Sequence, residues 1–298
     1  MSVLPGASAN QADYEGSLKI LGAADADDSI FAVSAYCPIS ILDHADAAYE
    51  WQFDGVNDYQ KMDISMLDYK VERKLVKGTL NEAEQSLSGR LKPLFAPYVN
   101  SLKLTDAQGR PLTLDKNGNG SFKNYVASFL AKSAQGRLDA GKDLSGRNWL
   151  TVKNGKVTAV DFAKYAAAGR RKIPPAFDAV DLSAGENQLF GSATQDTRHF
   201  TEFGAQNSTV KGAGRADAQT VKMMNPMHYI AKTPTQHWRI RVGTADRDTS
   251  LAVSAILAAK LQNSGKSVDY TLPWNVPHSG DYDLDELFAW VDKVAKGK

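Results

Sequence analysis

A chain of 298 residues, 43% hydrophobic and 23% charged, has ordinary globular composition and length enough for one large domain or two smaller ones. Its formal net charge of +1 supplies no long-range field for nucleic acid or an anionic membrane, and apolar runs such as Ile30 to Cys37 are too short to span a bilayer. Met1 to Gly6 has neither the basic nor the apolar region of a signal peptide, and the single cysteine, Cys37, excludes an intrachain disulfide, so the sequence as written reads as cytoplasmic.

In chain order, Asp13 to Leu21 reads as a short helix stopped by Gly22. Ile30 to Cys37 is a nearly continuous apolar run ended by Pro38, which suits a strand buried on both faces. Cys37 itself reads as a buried structural thiol, because no base motif accompanies it. Val71 to Leu94 looks helical and charged. Leu112 to Phe122 and Leu150 to Val160 look like hairpins, turning at Asn117-Gly118-Asn119-Gly120 and at Asn154-Gly155. The first turn, within Asp115-Lys-Asn-Gly-Asn-Gly120, imitates the start of a calcium loop, but Val126 stands where the bidentate glutamate would be required. Glu202 to Gln219 is polar, Gly-rich and expected to be loop.

His237 to Gly243 is a second strand, Thr249 to Asn263 a helix with Leu251, Val253, Ile256, Leu257 and Leu261 at helical spacing, and Val268 to Trp274 a third strand. Leu284 to Val294 closes the chain as a helix, with Asp281, Asp283, Asp285 and Glu286 at its positive N-terminal end. The alternation implies a parallel sheet with right-handed crossovers. It vanishes between about Phe53 and Val221, so the expected organisation is an α/β core of residues 1–52 and 222–298 interrupted by an inserted lid of residues 53–221.

The chemistry concentrates near the C-terminus. Thr244-Ala-Asp246-Arg-Asp248-Thr-Ser250 follows one strand, and Pro273-Trp-Asn-Val-Pro-His278-Ser-Gly-Asp-Tyr282 follows the next. Open α/β sheets build their sites in the loops beyond strand C-termini. Acid then histidine, one βαβ unit apart, is the second part of the Ser…Asp…His order of α/β-hydrolases, in which imidazole takes the serine proton and carboxylate fixes its tautomer. Taken singly, Asp246 could merely cap the helix that follows and His278 could be a loop histidine with a structural hydrogen bond. The other histidines, His44, His199, His228 and His237, have no metal-ligand spacing, and no metal or other cofactor is expected.

His237-Trp-Arg-Ile-Arg-Val-Gly-Thr-Ala-Asp-Arg-Asp-Thr-Ser-Leu-Ala-Val253 and Leu272-Pro-Trp-Asn-Val-Pro-His-Ser-Gly-Asp-Tyr-Asp-Leu-Asp-Glu-Leu-Phe-Ala-Trp290 resemble the bacterial tannases and their relatives. So do Ala35-Tyr-Cys-Pro38, Leu42-Asp-His-Ala45 and Ala48-Tyr-Glu-Trp-Gln-Phe53, and the likeness runs over essentially the whole chain. The resemblance implies a serine esterase with an α/β-hydrolase core and a large lid, acting on galloyl esters such as hydrolysable tannins. By the same resemblance Asp246 is the triad acid and His278 the base, while Lys172, Glu186 and Asp248 clamp the hydroxyls of the galloyl ring. Carboxylates accept from vicinal phenol hydroxyls, and a lysine supplies a donor. The expected partner is thus a small phenolic ester, with a feruloyl or other phenolic-acid ester as the alternative substrate. A single cysteine argues against the fungal tannases, whose sites depend on disulfide-linked cysteines.

No Gly-x-Ser-x-Gly nucleophile elbow occurs. The nearest imitation, Gly6-Ala-Ser8-Ala-Asn10, ends in Asn. The expected serine therefore lies upstream of Met1, in a sequence that reads as N-terminally truncated and inactive by itself; a non-catalytic remnant that binds phenolic ligands is the reading from another class.

Overall fold

The computed structural model describes residues 2–67 and 70–297. In chain order it runs α1 (Val3–Ser8), α2 (Ala12–Ile20), β1 (Ala32–Tyr36), α3 (Leu42–Phe53), β2 (Asp58–Leu67), β3 (Lys70–Thr79), α4 (Glu82–Leu91), α5 (Phe95–Ser101) and α6 (Ser121–Asp139). It continues through β4 (Leu150–Lys153), β5 (Lys156–Val160), α7 (Phe162–Ala167), α8 (Gly185–Leu189), α9 (Glu202–Gln206) and α10 (Ala218–Met223). It ends with β6 (His237–Arg241), α11 (Leu251–Asn263), β7 (Ser267–Thr271) and α12 (Leu284–Ala295). Among the described residues no helix is long and apolar enough to cross a membrane.

β1, β6 and β7 form a parallel sheet in that order, with Tyr36 level with Arg241 and Arg241 level with Thr271. The two strands expected from 30–37 and 237–243 thus lie side by side. Along β6 the pleat sends Trp238 and Ile240 into the apolar core and the buried Arg239 and Arg241 to the opposite face. Both guanidiniums reach Asp283, at the start of α12, and Arg241 also pairs with Asp269 at 2.8 Å. Asp283 also accepts from the Tyr36 hydroxyl and makes no capping hydrogen bond, so its role is to neutralise the arginines and not to cap the helix. This polar face explains a departure in β1, where burial alternates instead of covering both faces.

α11 is buried nearly all round, with Leu251 to Ala259 shielded from solvent, and begins where Ser250 accepts from the Ala252 amide at 3.2 Å. α3 holds that start: Gln52 Oε1 accepts from the Leu251 amide at 2.9 Å. One apolar cluster joins Val33, Trp238, Ile256 and Leu257 of the strand-helix units to Phe95, Phe122, Trp149 and Phe162 from the intervening stretch.

The middle of the chain corrects several expectations. Residues 71–94 are not one helix: β3 pairs antiparallel with β2 over ten positions, and α4 follows, opened by a capping box between Asn81 and Glu84. The charged residues of β3 carry no apolar alternation that would mark a strand. The turn at 117–120 exists, with the Asp115 carboxylate accepting from the Asn117 and Asn119 amides at 2.8 and 2.9 Å, but the helix α6 follows it and not a second hairpin strand. Gly120 is needed there, because at its φ of 145° a Cβ would stand 2.3 Å from the Thr113 carbonyl oxygen. β4 and β5 form the second expected hairpin, its turn made by Asn154 and Gly155, both at positive φ. Within 202–219, α9 and the start of α10 replace part of the expected loop.

Candidate functional site

Three parallel strands end on one edge, so the residues just beyond them meet. Beyond β1 comes Cys37, at a positive φ of 46°. Beyond β6 comes the loop carrying Asp246, and beyond β7 the loop carrying His278. The two loops are stitched together: the Thr244 amide donates to the Pro273 carbonyl at 2.9 Å, and the Ala245 amide to the Val276 carbonyl at 3.0 Å. Gly243 permits the approach, since a Cβ there would lie 1.9 Å from the Val276 oxygen.

The result is a hydrogen-bonded carboxylate–imidazole pair. His278 Nδ1 lies 2.9 Å from Asp246 Oδ2. Asp246 is fully buried, and its Oδ1 accepts from the backbone N–H groups of Asp248 at 2.8 Å and Thr249 at 3.4 Å. The carboxylate thus organises its own loop and keeps one oxygen for the imidazole; it does not cap α11, whose cap is Ser250. The His278 side chain is 40% exposed. The hydrogen bond to Asp246, with the Cys37 thiol second, holds the imidazole above the ordinary histidine range, at about 10.

Cys37 is the residue that sequence reasoning missed. It is buried as expected, but one donor atom each from Cys37, Asp246 and His278 lie within 4.8 Å of one another. Its Sγ also lies 3.5 Å from the Ser279 carbonyl oxygen. Ser8, the nearest imitation of an elbow serine, ends α1 and donates to its own helix at the Leu4 carbonyl, 2.8 Å away. It does not stand at a strand-to-helix turn.

The segment 170–172 borders the acid loop. Arg170 grips Asp248 with both terminal nitrogens, at 2.7 and 2.8 Å. Tyr49, buried on α3, donates its hydroxyl to the Arg247 carbonyl at 2.7 Å and accepts from the Lys172 amide at 2.7 Å. The backbone of Lys172 and the loop of Asp248 are therefore tied together, while the Lys172 ammonium sits 4.3 Å from the centre of the Phe177 ring. A cavity of about 220 Å³ runs along this seam, lined among others by Arg170, Thr244, Arg247 and Trp274. Glu186 lies half-buried in the first turn of α8, and its carboxylate has no hydrogen bond or ion pair among the described residues. Its neighbour Asn187 donates to Asp178 at 2.7 Å, and Asp178 also binds His199 and the Thr201 amide. Contacts therefore unite Asp246 with His278, and Asp248 with the 170–172 segment; Glu186 joins neither set by a direct bond.

A buried ion pair anchors 170–172. Arg171 and Glu50 are both fully buried, 2.6 Å apart. Arg171 also donates to the Phe53 and Lys172 carbonyls at 3.1 and 2.8 Å, and Ser88 donates to Glu50. Burial pushes the Glu50 carboxyl up, so it depends on its partner to stay ionised. Arg171→Ala leaves that carboxylate uncompensated and is expected to cost about 3–5 kcal/mol in denaturant unfolding, whereas a surface change such as Lys156→Ala falls within about 0.5 kcal/mol. Equal midpoints for the two variants would show that the pair anchors nothing.

No protein-family model matches the chain, and no curated protein does. Solved structures do. The crystal structure of tannase from Lactobacillus plantarum is 47% identical, with a TM-score of 0.93 over 98% of this chain and 64% of that one. The Fusobacterium nucleatum tannase structure is 49% identical, with a TM-score of 0.93 over 98% of this chain and 65% of that one. A tannin acyl hydrolase in complex with ethyl gallate is 47% identical, with a TM-score of 0.91 over 98% and 62%. The chain thus spans 62–65% of the length of these three structures.

Proposed function

Because the chain belongs to the bacterial tannase family over nearly all of its length, we propose that it supplies the acid and the base of a serine ester hydrolase that cleaves galloyl esters. The observation that carries this reading is the Asp246–His278 pair at the strand edge, in a chain 47% identical to a tannin acyl hydrolase in complex with ethyl gallate.

In this reading His278 removes a proton from a serine outside the 298 residues and returns it to the leaving alcohol. Asp246 holds Nδ1 protonated, which leaves Nε2 to face the nucleophile, and it stabilises the imidazolium formed as the serine attacks. Its hydrogen bond fixes the tautomer and orientation of the imidazole that takes the hydroxyl proton. Lys172, Glu186 and Asp248 recognise the ring hydroxyls. Arg170 occupies two of the acceptor sites of the Asp248 carboxylate and orients it, and the remaining lone pairs stay available for phenol O–H donors. The unpaired, half-buried carboxylate of Glu186 suits the same task. Residues 53–221 form the lid on a core of 1–52 and 222–298.

Ring recognition has a direct test in a polypeptide that carries the serine. Asp248→Ala is expected to lower kcat/KM for methyl gallate by about 10–100-fold, the value of one or two hydrogen bonds to a charged group, and to leave phenyl acetate hydrolysis within about threefold. Equal losses on both esters would remove Asp248 from ring recognition and reduce the reading to an unspecified ester hydrolase.

A further inference from the structure

We propose that Cys37, Asp246 and His278 together form a binding site for a soft divalent cation such as Zn²⁺, which competes with the acid-base role of the pair. The inference rests first on convergence. A thiol, a carboxylate and an imidazole come from three separate strand ends, yet one donor atom of each lies within 4.8 Å of the other two. Zinc bonds of roughly 2.3 Å to sulfur and 2.0–2.2 Å to nitrogen and oxygen bring donors to about 3.5 Å from one another. Closing the cluster onto an ion therefore needs only small side-chain rotations.

The chemistry of the set points the same way. Thiolate and imidazole together select zinc-like ions over magnesium or calcium, and the carboxylate adds a second negative charge. Cys37 and Asp246 are buried, and the imidazole is the partly exposed member. A fourth position is left for water. The backbone already fixes two of the ligands. Cys37 follows the strand end directly, and Asp246 is held by the Asp248 and Thr249 amides through the oxygen that does not face His278. That hydrogen bonding resembles the outer shell that orients carboxylate ligands in metal sites.

Binding releases the thiol proton to solvent and uses one imidazole lone pair, the ring keeping its remaining proton on the other nitrogen. A metal-bound imidazole cannot act as a base. The site therefore works as an inhibitory lock and not as a cofactor centre.

The test uses the chain as written and metal alone. It has one cysteine, so a sulfur-to-cobalt charge-transfer band on adding Co²⁺ reports Cys37 and nothing else. Expected are such a band at one equivalent, its absence in Cys37→Ser, and affinity reduced at least about 10–100-fold in His278→Ala. Zn²⁺ should also slow iodoacetamide labelling of Cys37 in the unmutated chain, a reading that needs no variant to fold. No charge-transfer band at saturating Co²⁺, or labelling indifferent to Zn²⁺, would overturn the site; affinity unchanged in a folded His278→Ala would overturn its composition. The inhibitory consequence rests on the esterase reading, but the binding arms do not: metal bound by a polypeptide that carries the serine yet hydrolyses no ester would sink only that reading.

Discussion

Asp246→Asn, in a polypeptide that carries the serine, should lower kcat on methyl gallate about 10⁴-fold while leaving KM and folding nearly unchanged. The asymmetry of the Asp246 carboxylate is the reason. Oδ1 accepts from the Asp248 and Thr249 amides, and an asparagine carbonyl can do the same. The loop should therefore keep its shape, and with it the neighbouring Asp248. The other position, which faces His278 Nδ1 at 2.9 Å, becomes an N–H donor. Imidazole must then present a lone pair at Nδ1, which moves its proton to Nε2, the atom that has to accept from serine. The variant also removes the main cause that holds His278 above the ordinary histidine range. Rates on methyl gallate and the urea midpoint check the claim together. A fall of less than about tenfold in a folded variant would make the Asp246–His278 pair structural and not catalytic.

The meeting of Asp246 and His278 is legible in the sequence because in a parallel sheet the loops just beyond neighbouring strands converge. Cys37, just beyond β1, falls under the same geometry, but the sequence shows no base motif beside it. Read as a lone thiol in an apolar run, it had no partner within reach in sequence. Its partners are 209 and 241 positions away by residue number and become neighbours only through strand order. α6 was legible in principle. Its buried residues are Phe122, Val126, Leu130 and Ala134, a four-residue rhythm along one narrow stripe, but the Asn-Gly turn before it drew the reading toward a hairpin. The Glu50–Arg171 pair could not be read at all. The partners are 121 residues apart, and nothing local distinguishes a buried arginine from the exposed ones around it. Lys172 and Glu186 entered through family resemblance alone, because single charged residues carry no periodic signal.

A polypeptide of these 298 residues, purified by itself, is expected to turn over methyl gallate at least about 10⁶-fold more slowly than one that also carries the serine, which places it below detection. The triad acts as a unit: an oriented imidazole without an alcohol to deprotonate forms no acyl-enzyme. Ser8 cannot substitute, since its hydroxyl is spent on the Leu4 carbonyl in α1. Cys37 is the serious challenger, because its thiol stands in the same cluster as the base. As nucleophile it would pass its proton to His278 and hold the acyl group as a thioester until water released it. Yet the thiol is buried, only 7% of the residue being exposed, and its Sγ is directed at the Ser279 carbonyl. The same polypeptide leaves Phe31, Phe288, Leu284 and Val291 exposed, the last three along one face of α12, so self-association at high concentration is also expected. Turnover and sedimentation should therefore be measured together, at concentrations where the chain is monomeric. Robust hydrolysis that His278→Ala and Cys37→Ala each abolish would make Cys37 the nucleophile and end the serine assignment; hydrolysis that survives Cys37→Ala would place the nucleophile at another residue within these 298.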